Sequence, residues 1–205
     1  STDNLADYGY KTTNLGFSLG TKFQQYENLY FSPELSVNAE TLKTDSTASQ
    51  TLQKQNGNYF DIYFNYSLNH DLRDQAYQPT EGYKNIFSQE LPLVSDGYEI
   101  VNSFETTGYR KLGLESVGKI SFFTKAVNNL NSDDVRVSKR LYLPSYKLRG
   151  FESGKVGPKE NADYIGGNYI SSINFAATLP QLLPSLESFD FSYFIDVGNV
   201  WGVDY

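Results

Sequence analysis

Strict alternation of apolar and polar residues is the feature that most limits the fold of this chain. From Tyr59 to Asn69, every second residue (Phe60, Ile62, Phe64, Tyr66, Leu68) is apolar or aromatic, and all but one of those between are polar. Successive side chains of a β-strand point to opposite faces, so this pattern predicts a strand with one apolar face. A β-sandwich would produce the same pattern, so the alternation alone does not require a membrane.

The whole chain has strand-like patterning and no convincing helical pattern. Eight strands are predicted, over residues 15–23, 29–39, 59–69, 83–91, 98–109, 117–127, 168–179 and 189–201. Strands of about ten residues match a tilted crossing of the bilayer core. Pro33 weakens the second segment as a central strand, because proline cannot donate to the ladder.

The connections between these strands differ in length in a regular way. Those at 41–57 and 128–166 are long, and we expect the first to be a solvated polar loop. Those at 24–28 and 111–116 are short. If the strands run up and down, both long connections lie on the same side, which is typical of an outer-membrane β-barrel.

Composition excludes several classes of function. The chain has no cysteine, which rules out disulfides and thiolate chemistry, and its net charge of −7 argues against a nucleic-acid partner. The single histidine, His70, lies beside Asp71 in a polar turn, and we interpret it as a solvated residue. We therefore expect no enzymatic activity, no metal and no cofactor.

A glycine-rich stretch separates the last two predicted strands from the rest. Its core is Leu148-Arg149-Gly150-Phe151, which places one cation between an apolar residue and a flexible glycine–aromatic pair. A long loop inside a compact region is usually functional or disordered. Its glycines, Gly154, Gly157, Gly166 and Gly167, predict turns with unusual backbone angles. We interpret the arginine as a plug held by one ion pair.

The last predicted strand carries one carboxylate on its polar face. Phe189, Phe191, Tyr193, Ile195 and Val197 share the apolar parity. Asp196 therefore points to the opposite, mostly polar face. We predict that the apolar faces of this strand and of residues 59–69 contact lipid.

These motifs together resemble a known family. Leu148–Phe151, followed by Gly157-Pro158-Lys159 and Gly166-Gly167-Asn168, is similar to the sixth-loop signature of outer-membrane assembly barrels of the BamA type. The run from Phe194 to Trp201 resembles that family's penultimate-region strand motif, and Pro79–Tyr83 is weakly similar to one of its periplasmic turns.

The resemblance implies an all-β fold, an antiparallel transmembrane β-barrel with sixteen strands preceded by soluble domains. Residues 1–205 would be the later strands of that one barrel domain, and residues 128–166 an extracellular loop folded into the lumen. A complete eight-stranded barrel is the alternative, since 205 residues would suffice for it.

The resemblance also implies roles for individual residues. Arg149 would enter the lumen and pair with Asp196, Gly150 would permit a close approach, and Phe151 would pack on the inner wall. The family often has a second acidic partner where this chain has Ala176, so a two-carboxylate clamp is not expected. The remaining motif residues are Gly157, Pro158, Gly166, Gly167 and Gly198. Trp201 is predicted to lie in an aromatic belt at the membrane surface; a core tryptophan is the alternative.

The implied function is the folding and insertion of other β-barrel proteins into a Gram-negative outer membrane, without nucleotide hydrolysis. The implied partners are outer-membrane lipids and lipopolysaccharide, unfolded β-barrel clients and assembly-complex lipoproteins. A passive or adhesive outer-membrane barrel is one alternative. A secretion or translocation barrel that shares the Arg-Gly-Phe loop is another, and the additional glycine motifs favour the BamA type.

Overall fold

The protein is built on one large antiparallel sheet. The computed structural model describes residues 2–5, 10–46, 48–113, 116–160, 163–178 and 191–203. The strands are β1 (Thr2–Leu5), β2 (Tyr10–Gly20), β3 (Phe23–Tyr26), β4 (Leu29–Thr44), β5 (Gly57–Asp71), β6 (Gly82–Ser95), β7 (Glu99–Gly113), β8 (Ser116–Asn129), β9 (Lys159–Glu160), β10 (Asp163–Tyr164), β11 (Tyr169–Thr178) and β12 (Ser192–Trp201). The predicted all-β antiparallel fold is confirmed.

The sheet is an up-and-down meander. Its order is β1-β2-β4-β5-β6-β7-β8-β11-β12, with β3 also paired to β4. Each of the eight predicted strands is found, and several are longer than the patterning indicated because they continue through polar residues. Among the described residues, no helix has the length and apolar composition needed to cross a membrane.

Pro33 lies within β4 rather than at an edge, and the neighbouring strand is interrupted opposite it. The ladder from β2 ends at Gly20↔Glu34, and the ladder from β3 begins at Phe23↔Phe31. In an antiparallel strand, the N–H and C=O of one residue face the same neighbour. The Pro33 carbonyl accepts from the Thr21 N–H at 3.0 Å, so the missing proline donor faces this interruption.

The expectation of a solvated loop at 41–57 is wrong. β4 continues to Thr44, and a one-turn helix, α1 (Gln50–Gln53), precedes β5. Leu42 and Leu52, two of the few apolar residues in this polar stretch, are 1% and 0% exposed. They pack with Val137 and Ile165, which come from the distant 130–168 connection. The local sequence pattern did not predict this packing, because the contacting residues are more than 80 positions apart in the sequence.

The connection between β8 and β11 covers one face of the sheet. We call residues 130–168 the docked segment; it contains two short 3-10 turns, Val137–Lys139 and Ser145–Lys147, and the β9–β10 hairpin. The segment buries three leucines against four aliphatic side chains of the strands. These are Leu141, Leu143 and Leu148 against Val101, Val127, Ile170 and Val200.

The docked segment thus defines the inner face of the sheet, and the opposite side is the outer face. Paired residues of an antiparallel sheet share a face. The predicted apolar stripe lies on the outer face, where Phe60, Leu68, Tyr193 and Ile195 are exposed. Phe191, just before β12, is exposed as well, and Phe189 lies outside the described residues.

Candidate functional site

The docked segment meets β12 through one arginine and one carboxylate. Arg149 Nε donates to Asp196 Oδ2 at 2.7 Å, and Arg149 Nη2 donates to Asp196 Oδ1 at 2.6 Å. The Arg149 backbone N–H adds a third hydrogen bond to Oδ2 at 3.0 Å. The structure therefore brings the two sequence-predicted residues together in a bidentate fork, the strongest geometry for this pair.

The environment of this pair is asymmetric. The Asp196 side chain is 3% exposed, whereas the Arg149 side chain is 36% exposed. The guanidinium lies 3.8 Å from the ring centroid of Phe194, which shares the inner face with Asp196. Stacking on this ring fixes the plane of the fork, and partial exposure leaves part of the arginine's hydration intact.

The second partner of Asp196 is an amide that sequence reasoning missed. Asn174 stands directly opposite Asp196 in the β11–β12 ladder. Its Nδ2 donates to Asp196 Oδ1 at 2.9 Å and to the Lys147 carbonyl at 2.7 Å. Ala176 pairs with Phe194 instead. The neutral amide of Asn174 thus links β11 both to the Asp196 carboxylate and to the docked segment. Asp196 is the carboxylate that faces Arg149 at this point.

Lys147 provides another anchor. Its ammonium bonds Glu105 Oε1 at 2.5 Å and lies 4.6 Å from the centroid of the Phe123 ring. Glu105 and Phe123 are paired across β7 and β8 on the inner face. The residues flanking Leu148 are therefore held by two separate ion pairs, one to β7 and one to β12.

Gly150 has a different role from the one predicted. Its φ is +87°, and a Cβ added there would meet no atom within 4 Å. Gly150 is needed for a left-handed backbone, which glycine adopts without a steric penalty, and none of the described residues approaches it closely.

Close approaches between the docked segment and β12 occur at three other glycines of the motif. A Cβ on Gly167 would lie 2.5 Å from the Trp201 carbonyl oxygen, and one on Gly157 would lie 2.6 Å from Val200 Cβ. In β12 itself, a Cβ on Gly198 would lie 2.8 Å from Leu143 Cδ2. The absence of side chains at these glycines lets the docked segment lie directly on β12. Gly157 and Gly167 are therefore both explained by contact with the same strand.

The other motif residues close turns or face outward. The Pro158 carbonyl accepts from the Ile165 N–H at 3.2 Å, which closes the β9–β10 hairpin, and Gly166 has a φ of +67°. The Phe151 side chain is 58% exposed, so it does not pack on the described strands, and its packing on an inner wall stays a prediction. Trp201 is partly exposed and stacks on Tyr169 with a centroid separation of 6.0 Å.

Sequence reasoning also missed a buried ionic cluster around Arg136. Arg136 Nη2 donates to Asp61 Oδ2 at 2.7 Å and lies 3.5 Å from Glu99 Oε2, while Nη1 lies 3.5 Å from Glu40 Oε2. All four side chains are between 0% and 3% exposed. Part of this signal was in the sequence, because Asp61 and Glu40 occupy the polar positions of clearly alternating segments.

Charge complementarity unites these contacts. Residues 130–168 contain seven Lys and Arg against five Asp and Glu, although the chain as a whole carries −7. The acidic partners of the segment come from four different strands, as Glu40, Asp61, Glu99, Glu105 and Asp196. A cationic segment on an acidic strand face accounts for its docked position.

The Pro79–Tyr83 motif closes a compact turn at the other end of β5 and β6. Asp74 accepts hydrogen bonds from the Thr80 hydroxyl at 2.7 Å and the Thr80 N–H at 3.0 Å. The Thr80 hydroxyl, with further backbone donors, lowers the pKa of Asp74 to about 2. This carboxylate stays charged and keeps the turn closed at neutral pH.

Comparison with known proteins agrees with this architecture. The family model of the Omp85 superfamily domain matches residues 1–205. The human sorting and assembly machinery component 50 homolog is 25% identical over 168 residues, covering 78% of this chain and 36% of that protein. The outer membrane protein assembly factor BamA of Neorickettsia risticii is 22% identical over 201 residues, covering 95% of this chain and 27% of that protein.

The fold is that of a solved barrel. The crystal structure of BamA from Haemophilus ducreyi lacking POTRA domains 1–3 superimposes with a TM-score of 0.85 at 20% identity, covering 98% of this chain and 44% of that one. The chain spans about a third of the length of the curated relatives it matches.

The family match extends over the entire sequence, and the meander of long strands has the fold of the BamA barrel. The resemblance to BamA-type assembly barrels seen in the loop and strand motifs is thereby confirmed. The chain belongs to the Omp85 superfamily of outer-membrane β-barrel proteins.

Proposed function

We propose that this chain forms part of a barrel that folds and inserts other β-barrel proteins into a Gram-negative outer membrane. In this proposal the outer face contacts lipid and lipopolysaccharide, and the docked segment lies in the barrel lumen as an extracellular loop folded inward. The chain acts as a scaffold without covalent chemistry. Its clients are unfolded β-barrel proteins, and lipoproteins of an assembly complex are its partners.

The anchored arginine is the observation that carries the proposal. Arg149 holds the docked segment against β12 with three hydrogen bonds to one carboxylate. A passive barrel has no need of such a fork. An assembly barrel uses it to keep a long loop in a fixed position beside the strands that work on a client.

Reconstitution tests this function directly. The full-length protein is placed in lipid vesicles, and the folding rate of an added, urea-unfolded β-barrel client is followed by its heat-modifiable gel mobility. We expect faster folding than in empty vesicles, and a several-fold lower rate for Arg149→Ala. The variant itself should still migrate as a folded barrel, because most of its inner-face packing is unchanged.

A matched control separates the anchor from general loss of charge. Lys159 is an exposed cation of the same segment whose ammonium lies over the Tyr164 ring. Lys159→Ala should fold the client at the wild-type rate. Equal client folding with and without the protein would reject the insertase function.

A passive barrel or a translocation barrel makes a different prediction in planar bilayers. With the docked segment in the lumen, the wild-type protein should show low conductance, and Arg149→Ala should show frequent larger openings. A steady, wide conductance in the wild type, together with no effect on client folding, would favour a passive pore. Transport of an unfolded protein across vesicles would favour translocation.

A further inference from the structure

Arg136 contacts a different part of the sheet from Arg149. Its guanidinium reaches Asp61 on β5, Glu99 on β7 and Glu40 on β4. The Arg136 backbone N–H also donates to Glu99 Oε1 at 3.3 Å. Arg149, in contrast, bonds β12. Arg136 thus attaches the docked segment to middle strands of the described sheet, and Arg149 attaches it to β12, the strand at one end of that sheet.

The carboxylates around Arg136 are fixed by their own hydrogen bonds. Ser95 donates to Asp61 at 2.6 Å, Tyr63 donates to Glu99 at 3.3 Å, and Ser138 donates to Glu40 at 3.0 Å. The ring centroid of Tyr59 lies 4.4 Å from the guanidinium carbon. Ser95 and Tyr63 lie on the strands, so Asp61 and Glu99 are held in place on the sheet independently of Arg136.

Charge balance makes this site depend on the arginine. Three buried carboxylates on β4, β5 and β7 repel one another, and removing their shared cation leaves these charges uncompensated in a poorly solvated place. The cost falls on the pairing of the segment with β4, β5 and β7. The partly exposed Arg149 pair does not offset it, because it lies at β12.

We propose that Arg136 is a second positioning anchor of the docked segment, separate from Arg149. Arg136 neutralises Asp61, Glu99 and Glu40 and so attaches the segment to β4, β5 and β7. Arg149 attaches the same segment to β12. The segment then acts as a strap between two distant groups of strands. Two parts of it, residues 130–145 and 146–160, open independently at their own anchors.

Hydrogen exchange with mass spectrometry tests the separation of the anchors. In the reconstituted full-length protein, Arg136→Met should speed exchange in peptide 133–141 by about tenfold or more, with less than about a twofold change in peptide 147–156. Arg149→Met should give the reverse pattern. Lys159→Met, which removes an exposed cation of the same segment, should change neither peptide.

Charge compensation distinguishes this role from packing. Adding Asp61→Asn to Arg136→Met should slow the exchange of peptide 133–141 again, whereas Asp61→Asn alone should speed it. Arg136→Lys should be intermediate, since lysine keeps the charge and loses the fork. If Arg136→Met does not fold, the yield of folded barrel replaces exchange, and the double variant should give more than the single one.

Two results would overturn the proposal. One is faster exchange, or a lower folded yield, in the double variant than in Arg136→Met, because the carboxylate would then not depend on the arginine. The other is an equal opening of both peptides by either arginine variant, because the segment would then be a single unit with one anchor. These readouts do not require insertase activity, so they stand apart from the proposed function.

Discussion

At the scale of single residues, the contact between Arg149 and Asp196 makes a direct prediction. The charge swap Arg149→Asp with Asp196→Arg should recover part of the stability lost in either single variant. The pair is worth about 1–3 kcal/mol, since it is a charged hydrogen bond that is partly open to water. The coupling is measured by a double-mutant cycle on urea unfolding of the barrel, followed by gel mobility.

The planar fork provides the control for that cycle. Arg149→Lys should rescue poorly, because lysine can neither bond both carboxylate oxygens at once nor stack flat on Phe194. A swap no more stable than the sum of the single changes, with Arg149→Lys indistinguishable from wild type, would contradict a specific fork.

At the scale of elements, the glycines predict how the docked segment lies on β12. Gly167→Ala should separate the segment from the strand, because its Cβ meets the Trp201 carbonyl oxygen. Gly150→Ala should cost only about 1–3 kcal/mol of backbone strain, since its φ is positive but no atom is in the way. Exchange in a peptide over residues 196–203 should rise in the first variant and not in the second. Equal exchange in both would show that no close approach exists there.

At the scale of the whole molecule, the two faces of the sheet predict opposite environments. Phe64→Arg places a charge on the outer face and should cost roughly 2–4 kcal/mol near the bilayer midplane. Spin labels at Ile62 and Ile195 should be accessible to oxygen and protected from a water-soluble relaxation agent. Labels at Asn65 and Ser67 on the inner face should show the reverse. Asp61 is unsuitable for a label because it is buried in the Arg136 cluster.

Strand positions could be predicted because their cause is local. Alternation over about ten residues selects a strand and a face without reference to the rest of the chain. The lengths were less accurate: β6 continues to Ser95 because its last residues pair with β5 beyond the point where its pairing with β7 ends. Leu42 and Leu52 were assigned to solvent because a few apolar residues in a polar stretch carry no periodic signal.

The sequence by itself determined the all-β class and the two faces, including the inward side of Asp196, since parity fixes these along one strand; the pairing of Arg149 with Asp196 was implied by the family resemblance. Only the tertiary structure decided that Asn174 rather than an acid supports Asp196, that Gly150 serves a turn while Gly167 serves a contact, and that Arg136 joins three strands. These features depend on register between segments far apart in sequence. A register is fixed by the summed packing of whole strands, and no short run of residues contains that information.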